Sequence, residues 1–256
     1  MTNFKDITIN GVGTVDGGRC GKVSISGSGK IQGQLECEAF HVSGAGKVEG
    51  GGITVHGPIH CSGAGKVDGP VFAQIAKVSG SFVAEGDVEI TQSTSVSGSL
   101  KTEGGLRCGD LSVSGVCKAG ASICGNKLSV SGVLKTPADV QAESLHSSGA
   151  LSIDGLLNAE TVEIELNGDN TVRTIGGGRV LVRRKAKGFS LFGLQKRPRL
   201  LSELIEADEI DLEYTDCQTV RGVNVRIGPE CVIDRVEYSG SLTTDPNCTV
   251  REKVKV

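Results

Sequence analysis

The stretch Lys22 to Ala39, KVSISGSGKIQGQLECEA, alternates strictly between small or apolar residues and polar ones. One phase holds Val23, Ile25, Gly27, Gly29, Ile31, Gly33, Leu35, Cys37 and Ala39, and the other holds only Lys, Ser, Gln and Glu. A period of two indicates β-strand with one dry and one wet face. The run is too long for one ordinary strand, so we expect its glycines to be corners where the chain turns.

Glycines recur at a similar spacing along most of the chain. A Ser-Gly or Asn-Gly pair places glycine at positions 11, 27, 44, 63, 80, 98, 115, 132, 149 and 168, with gaps of 16 to 19 residues. A repeat of this length predicts one coil of a parallel β-solenoid, with two or three short faces. A leucine-rich repeat is excluded because its Leu-x-x-Leu-x-Leu signature is absent. The left-handed acyltransferase helix stays open, since Ile25, Ile31 and Cys37 fall six apart.

When coils stack, residues at the same distance from the glycine of each repeat form a column of side chains. Three residues after the glycine come Lys30, Lys47, Lys66, Lys101, Lys118 and Lys135, and two residues later come Asp16, Glu49, Asp68, Glu85, Glu103 and Asp154. We expect a self-neutralising, solvated wall, and a cationic stripe for an anionic polymer is the alternative. His41, His60 and His146 share another column, but no third ligand at a defined spacing supports a metal site.

Composition narrows the functional classes. The chain has 38 glycines, no tryptophan and a net charge of −3, which predicts a narrow core of small residues and no affinity for nucleic acid. The start lacks an apolar signal region, and no apolar run is long enough to span a bilayer, so we expect a cytoplasmic protein. The nine cysteines show no metal or disulfide spacing and are expected to be buried thiols. Cys20 and Cys37 lie one repeat apart. Stacked coils would place the two thiols side by side, so that oxidation could join them in a disulfide.

A basic segment interrupts the repeat after Gly168. We divide the chain into a main solenoid over residues 1–178, an insertion loop over 179–204 and closing coils over 205–256, continuous with the first part. The loop surrounds GFSLFGL with basic residues, and an acidic run follows from Glu203 to Asp216. It is a candidate membrane or partner segment, or else it packs on the solenoid or pairs with the acidic run. Its candidate contact residues are Arg183, Arg184, Lys185, Lys187, Phe189, Leu191, Phe192, Leu194, Lys196 and Arg197.

No motif predicts a cofactor. GSGKI at 27–31 and GAGKV at 44–48 and 63–67 lack the Ser or Thr and the helix that complete a phosphate-binding loop, so we expect no nucleotide. We also expect no catalytic site and no metal. A β-helix enzyme of the pectate-lyase or acyltransferase type is the less favoured alternative, because the repeats show no cluster of carboxylates, arginines and aromatic platforms and no catalytic histidine.

Short glycine-punctuated coils that fill nearly the whole chain resemble the bactofilins, polymer-forming cytoskeletal proteins of bacteria. The closing region LIEADEIDLE (204–213), with VRG (220–222) and VEY (236–238), looks like the longer bactofilin-like proteins of Gram-positive bacteria. The resemblance implies a right-handed, triangular β-helix that polymerises end to end without nucleotide into non-polar filaments. It also implies that such filaments lie on the inner membrane and support envelope or motility machinery. This chain departs from the family in its length, in its basic insertion and in entering the first coil as early as Ile7.

The open ends of a solenoid are natural places for self-association, because their backbone groups and core must be capped or paired. Phe4, Ile7 and Ile9 are the candidate residues at the N-terminal end, whereas the charged sequence VREKVKV (250–256) blunts the other edge. We therefore expect a homopolymeric scaffold. The alternative is a non-polymerising membrane or envelope adaptor that uses the basic loop.

Overall fold

The computed structural model describes residues 4–184 and 198–256. The chain forms two compact units, Met1–Lys127 and Leu128–Val256. Each unit is a parallel β-solenoid, and the described residues wind about 14 turns of roughly 17 residues and include no helix. The parallel solenoid and its coil length are therefore confirmed. The right-handed winding implied by the family resemblance stays a prediction.

Short strands make up unit 1. They are β1 (Ile7–Ile9), β2 (Val12–Arg19), β3 (Lys22–Ile25), β4 (Ser28–Cys37), β5 (Ala39–Val42), β6 (Ala45–Glu49), β7 (Ile53–Val55), β8 (Pro58–Cys61), β9 (Ala64–Val67), β10 (Val71–Val78), β11 (Ser81–Ala84), β12 (Val88–Val96), β13 (Ser99–Thr102), β14 (Leu106–Val113), β15 (Val116–Ala119) and β16 (Ile123–Cys124).

The strands that follow become longer. They are β17 (Lys127–Val130), β18 (Val133–Thr136), β19 (Val140–Ser147), β20 (Ala150–Leu166), β21 (Asn170–Arg184), β22 (Leu200–Leu212), β23 (Thr215–Ile227), β24 (Val232–Thr244) and β25 (Thr249–Lys255). From β20 onwards one strand covers two or three faces of a coil, because fewer glycine corners interrupt it.

Each coil has three faces. In unit 1, face A is the parallel stack of β1, β3, β5 and β8, continued by the ends of β10, β12 and β14. Face B contains the start of β2 and of β4, then β6, β9, β11, β13 and β15. Face C contains the end of β2 and of β4, then β7, the starts of β10, β12 and β14, and β16. The strict alternation of the sequence thus becomes three dry inner walls and three wet outer ones.

The repeated glycines stand at the corner between faces A and B. A Cβ on Gly44 would overlap the carbonyl oxygen of Gly27, and one on Gly63 would overlap that of Gly44. That same carbonyl oxygen accepts a hydrogen bond from the next coil, as in Ala45 N to Gly27 O at 2.8 Å. Any side chain at the corner would therefore force two coils apart, which explains why the sequence keeps glycine there.

A second glycine column lies on the inner wall of face B. The space beside Gly29 and Gly46 is filled from face A by Ile25, whose methyl groups lie 2.9 and 3.0 Å from where a Cβ would stand. The column ends at Phe82, and its ring occupies the space that a side chain on Gly65 would take, 2.8 Å from that Cβ position. A large side chain thus fills the space that a neighbouring glycine leaves empty. The core is therefore filled although it contains few aromatic residues.

The strands of unit 2 extend further into the basic segment than the sequence indicated. Residues 179–184 belong to β21, where Val180 and Val182 are fully buried, and residues 200–204 belong to β22. The interruption is therefore shorter at both ends than the predicted loop over 179–204. The strand was hard to predict because its sequence is rich in basic residues. Arg179, Arg183 and Arg184 flank buried valines in the usual alternation.

Candidate functional site

The outer wall of face B carries an alternating ion ladder. The register places Lys30 beside Lys47 and Lys47 beside Lys66, as the column predicted. Each lysine reaches carboxylates of its own or the next coil: Lys30 with Glu49, Lys47 with Glu49 at 2.6 Å and with Asp68 at 3.4 Å, and Lys66 with Asp68 at 3.5 Å and with Glu85 at 2.6 Å.

This ladder is a neutral wall rather than a cationic stripe. Hydrogen bonds from Lys30 and Lys47 lower the pKa of the Glu49 carboxyl, and the bond that Lys47 donates to Glu49 raises the pKa of Lys47. These lysine side chains remain about 40% exposed, so solvent screens each pair and its contribution to stability is small. Both charges of each pair neutralise each other within the wall. The ends of the coil stacks are therefore better candidates for binding surfaces.

The N-terminal end of unit 1 is apolar and has free strand edges. Among the described residues, β1 pairs only with β3, and β2 pairs only with β4. The core-facing positions of this first coil hold Ile7, Ile9, Gly13, Val15, Gly18 and Cys20, none of them charged. Ile9 is 7% exposed, whereas Ile7 and Val15 are half-buried. Unpaired backbone groups beside apolar side chains are the usual template for adding another strand.

Phe4 is held beside this end by an ionic cluster on face C. The guanidinium of Arg19 lies 5.5 Å from the centroid of the Phe4 ring and 2.7 Å from Glu36, which His56 also contacts at 2.8 Å. Hydrogen bonds from Arg19 and then His56 lower the pKa of Glu36 to about 2. The amide of Lys22 donates to Asp6 at 2.7 Å. Phe4 therefore lies beside Arg19 of the first coil, whereas Ile7 and Ile9 occupy core-facing positions of β1.

The C-terminal end of unit 2 has different chemistry. Strand β25 pairs with β24 so that Lys253 stands over Val236 and Lys255 over Tyr238. Val236 is fully buried, which makes its column core-facing, yet Lys253 and Lys255 are exposed on the last coil. Among the described residues, β25 has β24 as its only partner strand.

The inward register of these lysines does not follow from the local alternation of the sequence. The alternation of 250–256 placed valine and lysine in opposite phases, but the corner at Arg251 and Glu252 shifts the phase, so Val254 faces outward with Glu237. Counting 17 residues on from Val236 would have identified Lys253.

The basic segment is only partly described. Arg183 contacts Asp211 at 3.1 Å, and Arg184 lies over the Tyr214 ring at 5.1 Å while its amide donates to Glu213 at 3.3 Å. The remaining candidate residues, Lys185, Lys187, Phe189, Leu191, Phe192, Leu194, Lys196 and Arg197, lie outside the described residues. The two described arginines therefore contact the acidic run that follows the segment.

The histidine column is real, with the rings of His41 and His60 edge-to-face at a centroid distance of 4.6 Å. Burial, His41 and Lys77 lower the pKa of His60. Across residues 4–184 and 198–256, no three His, Cys, Asp or Glu side chains form a group that would hold a metal ion. The described part of the chain also contains no helix able to cross a membrane.

All nine cysteines are free thiols, and seven of them are buried, as the sequence predicted. Cys20 and Cys37 lie side by side in the inner wall of face C. Burial raises the pKa of Cys37, Cys108, Cys117, Cys217 and Cys231 to about 12. Such thiols act as small apolar side chains.

An open groove of about 640 Å³ lies across strands β20 to β24 of unit 2. Leu156, Leu204 and Val223 line it, and Arg221 crosses it between Glu206 at 3.1 Å and Glu237 at 2.7 Å. Arg221 is thus paired with two carboxylates, as the lysines of the ladder in unit 1 are.

Two proteins of Bacillus subtilis strain 168 are similar to part of this chain. The uncharacterized protein YhbE is 44% identical over 105 residues, which are 41% of this chain and 44% of that protein. The uncharacterized protein YhbF is 38% identical over 103 residues, 40% of this chain and 42% of that protein. The chain thus matches less than half the length of these relatives. No family model matches it, and no solved structure does. The chain is a β-solenoid protein related to two uncharacterized proteins of a Gram-positive bacterium.

Proposed function

We propose that this protein is a structural scaffold of the bactofilin type, whose solenoids associate end to end into cytoskeletal filaments without nucleotide. The observation that carries the proposal is the N-terminal end coil, with its uncharged core-facing positions and the free edges of β1 and β2. Stacking a second copy there would pair the backbone groups and bury Ile7, Ile9 and Val15.

The side walls support the same function. Several of their outward charges are paired within ladders, which favours an inert flank and directs association to the ends. The repeat pattern and the partial similarity to the two Bacillus proteins fit a bacterial scaffold. The proposal assigns the filament to the cytoplasm, at the inner face of the membrane, with envelope or motility proteins as partners.

The deciding experiment images the purified full-length chain by electron microscopy at micromolar concentration, with and without ATP or GTP. We expect filaments whose formation is indifferent to nucleotide. Ile7→Lys should shorten or abolish them, because it puts a charge on the core-facing side of β1. Thr8→Lys is the matched control, since Thr8 points outward on the same strand. Monodisperse monomers across a range of salt and pH would refute the proposal.

A membrane adaptor that uses the basic segment is the alternative. Arg183 and Arg184 already contact the acidic run, so membrane binding through the segment would depend on its remaining residues. Flotation with anionic liposomes tests it. Binding that is unchanged in the double variant Phe189→Ala with Phe192→Ala would reject the segment as an anchor.

A further inference from the structure

Two thiols of unit 1 lie beside each other in neighbouring coils. The register of β2 and β4 pairs Arg19 with Glu36, and the amide of Cys20 donates to the Glu36 carbonyl oxygen at 2.9 Å, which makes Cys37 the neighbour of Cys20. Both side chains face the core, with Cys20 6% and Cys37 1% exposed. Neighbouring strands lie about 4.8 Å apart, and a disulfide needs Cα atoms about 4.4–6.8 Å apart. The two cysteines are therefore placed for direct linkage.

The two sulfur atoms are not equivalent. The thiol of Cys37 donates a hydrogen bond to the sulfur of Cys20. Burial and then the nearby Asp6 carboxylate raise the pKa of Cys20, and this hydrogen bond opposes the rise. Burial and then the charge on Cys20 raise the pKa of Cys37 to about 12. The contact therefore favours a thiolate on Cys20, with the protonated thiol of Cys37 next to it.

An open pocket gives small molecules access to this contact. It has a volume of about 230 Å³, and Cys20 and Cys37 line it together with Phe4, Arg19 and His56. Most of each cysteine remains covered, so the pocket favours a small reagent such as a hydroperoxide over a bulky one. The second sulfur is already in place, and the step that joins the two thiols requires no further approach from solvent.

Cys61 provides the comparison within the same unit. Its neighbours in the adjacent coils are Val42 and Val78. Its thiol lies 3.3 Å from the carbonyl oxygen of Ser81 and 3.5 Å from that of Gly63. Cys61 is 1% exposed, like Cys37, but valines occupy the positions where Cys37 has a cysteine. Burial alone therefore does not create the arrangement of Cys20 and Cys37.

We propose that Cys20 and Cys37 are a redox pair that hydrogen peroxide, or another small hydroperoxide, converts into a disulfide. The thiolate of Cys20 attacks one peroxide oxygen, the O–O bond breaks, and Cys20 becomes a sulfenic acid as hydroxide leaves. The sulfur of Cys37 then attacks the sulfur of Cys20, the S–S bond forms, and the S–O bond breaks to release a second hydroxide. The two thiol protons convert both hydroxides into water. The thiols lose two electrons, and the peroxide gains them.

The disulfide would close one complete coil, residues 20–37, into a covalent ring. It would fix the end of β2 to the end of β4, so that the coil containing β1 and β2 stays attached to the next coil. Such a link restricts the unfolded chain and opposes local opening. The bond forms within one molecule, so the inference is independent of the proposed filament.

The test uses the full-length chain with Cys124→Ser and Cys248→Ser, which removes the two half-exposed thiols and the disulfides that they would form between molecules. The nine cysteines less these two leave seven thiols. Hydrogen peroxide should lower the thiol count of the denatured protein by two, and peptide mapping by mass spectrometry should locate the bond between Cys20 and Cys37. Dithiothreitol should restore all seven thiols. Hydrogen exchange at the amides of Cys20 and Gly21 should be about tenfold slower in the oxidised protein.

Two variants in this background separate linkage of the pair from general oxidation. Cys61→Ala removes a buried thiol with valine neighbours and should form the same disulfide as the parent. Cys37→Ala removes the second thiol of the pair, so peroxide should add oxygen to Cys20 without forming a disulfide. Circular dichroism shows whether each variant keeps its β-sheet content, and the mapping of the parent protein does not depend on either variant.

The redox pair is refuted if peroxide leaves all seven thiols intact, or if Cys61 and the other buried cysteines are oxidised as fast as Cys20. A disulfide that maps to other cysteines, or one that still forms in Cys37→Ala, refutes it equally. These results are separate from those for the proposed function, which is tested by imaging the untreated chain.

Discussion

Replacing one corner glycine by alanine tests the physical basis of the repeat. In Gly44→Ala the new Cβ would overlap the carbonyl oxygen of Gly27 and lie 2.7 Å from the carbonyl carbon of Ser26. Both atoms belong to the backbone, so no side-chain rotation relieves the overlap. The two coils must separate locally.

The structure indicates the size of the effect. Separation weakens the hydrogen bonds Ala45 N to Gly27 O at 2.8 Å and Gly44 N to Ile25 O at 3.2 Å. Each backbone bond contributes about 1 kcal/mol net. With the residual strain we expect the free energy of unfolding of unit 1 to fall by about 2–4 kcal/mol. Gly11→Ala is the matched control, since a Cβ there meets nothing within 4 Å, and it should change stability by less than about 0.5 kcal/mol.

Urea unfolding followed by circular dichroism measures both variants, and hydrogen exchange locates the change. We expect faster exchange at the Gly44 and Ala45 amides in Gly44→Ala and no local change in Gly11→Ala. If the two variants lose equal stability, close approach of successive coils does not explain the glycine repeat.

Three further expectations concern single side chains. Iodoacetamide at pH 8 should label Cys124 and Cys248 first, because they alone among the thiols are half exposed; mass spectrometry showing prompt labelling of the other seven would contradict the burial. The Glu36 carboxyl should titrate near pH 2 by NMR. Its pKa is depressed in the folded state, so its contribution to stability is present above its ordinary pKa and is lost as the pH falls towards 2. Arg19→Ala should move this pKa upward, and an unchanged value would contradict the pairing. Asn170→Ala should destabilise unit 2 by about 1–3 kcal/mol in urea, because it removes the acceptor of a buried backbone amide; a neutral result would show that water replaces it.

The solenoid could be predicted from sequence because its rules are local. Alternation in 22–39 marked the buried side of each strand, and the glycine spacing marked the coil length. The register that places Lys30 beside Lys47 followed from counting alone, since stacked coils align equal offsets. Local patterns failed where a corner shifted the phase, as at Lys253, and where charge hid a strand, as at Arg179.

Contacts between side chains that are distant in sequence could not be predicted from the sequence pattern. The stacking of Arg19 on Phe4 and its ion pair with Glu36 depend on side-chain direction at a corner, which spacing does not report. The packing of the Phe82 ring against Gly65 of the preceding coil depends likewise on the direction that the side chain takes. The sequence therefore indicated where the two end coils lie. Which of their residues face the core, apolar at one end and lysine at the other, became clear only from the strand register of each end coil.

The corner ladder has a consequence for how such a chain changes its length over generations. Because the space beside a corner glycine such as Gly44 is closed by backbone atoms of the coil before it, an in-frame duplication of one repeat recreates this contact. The number of coils in a unit is then a quantity that evolution adjusts in single-coil steps, while the chemistry of its first and last coils is inherited unchanged.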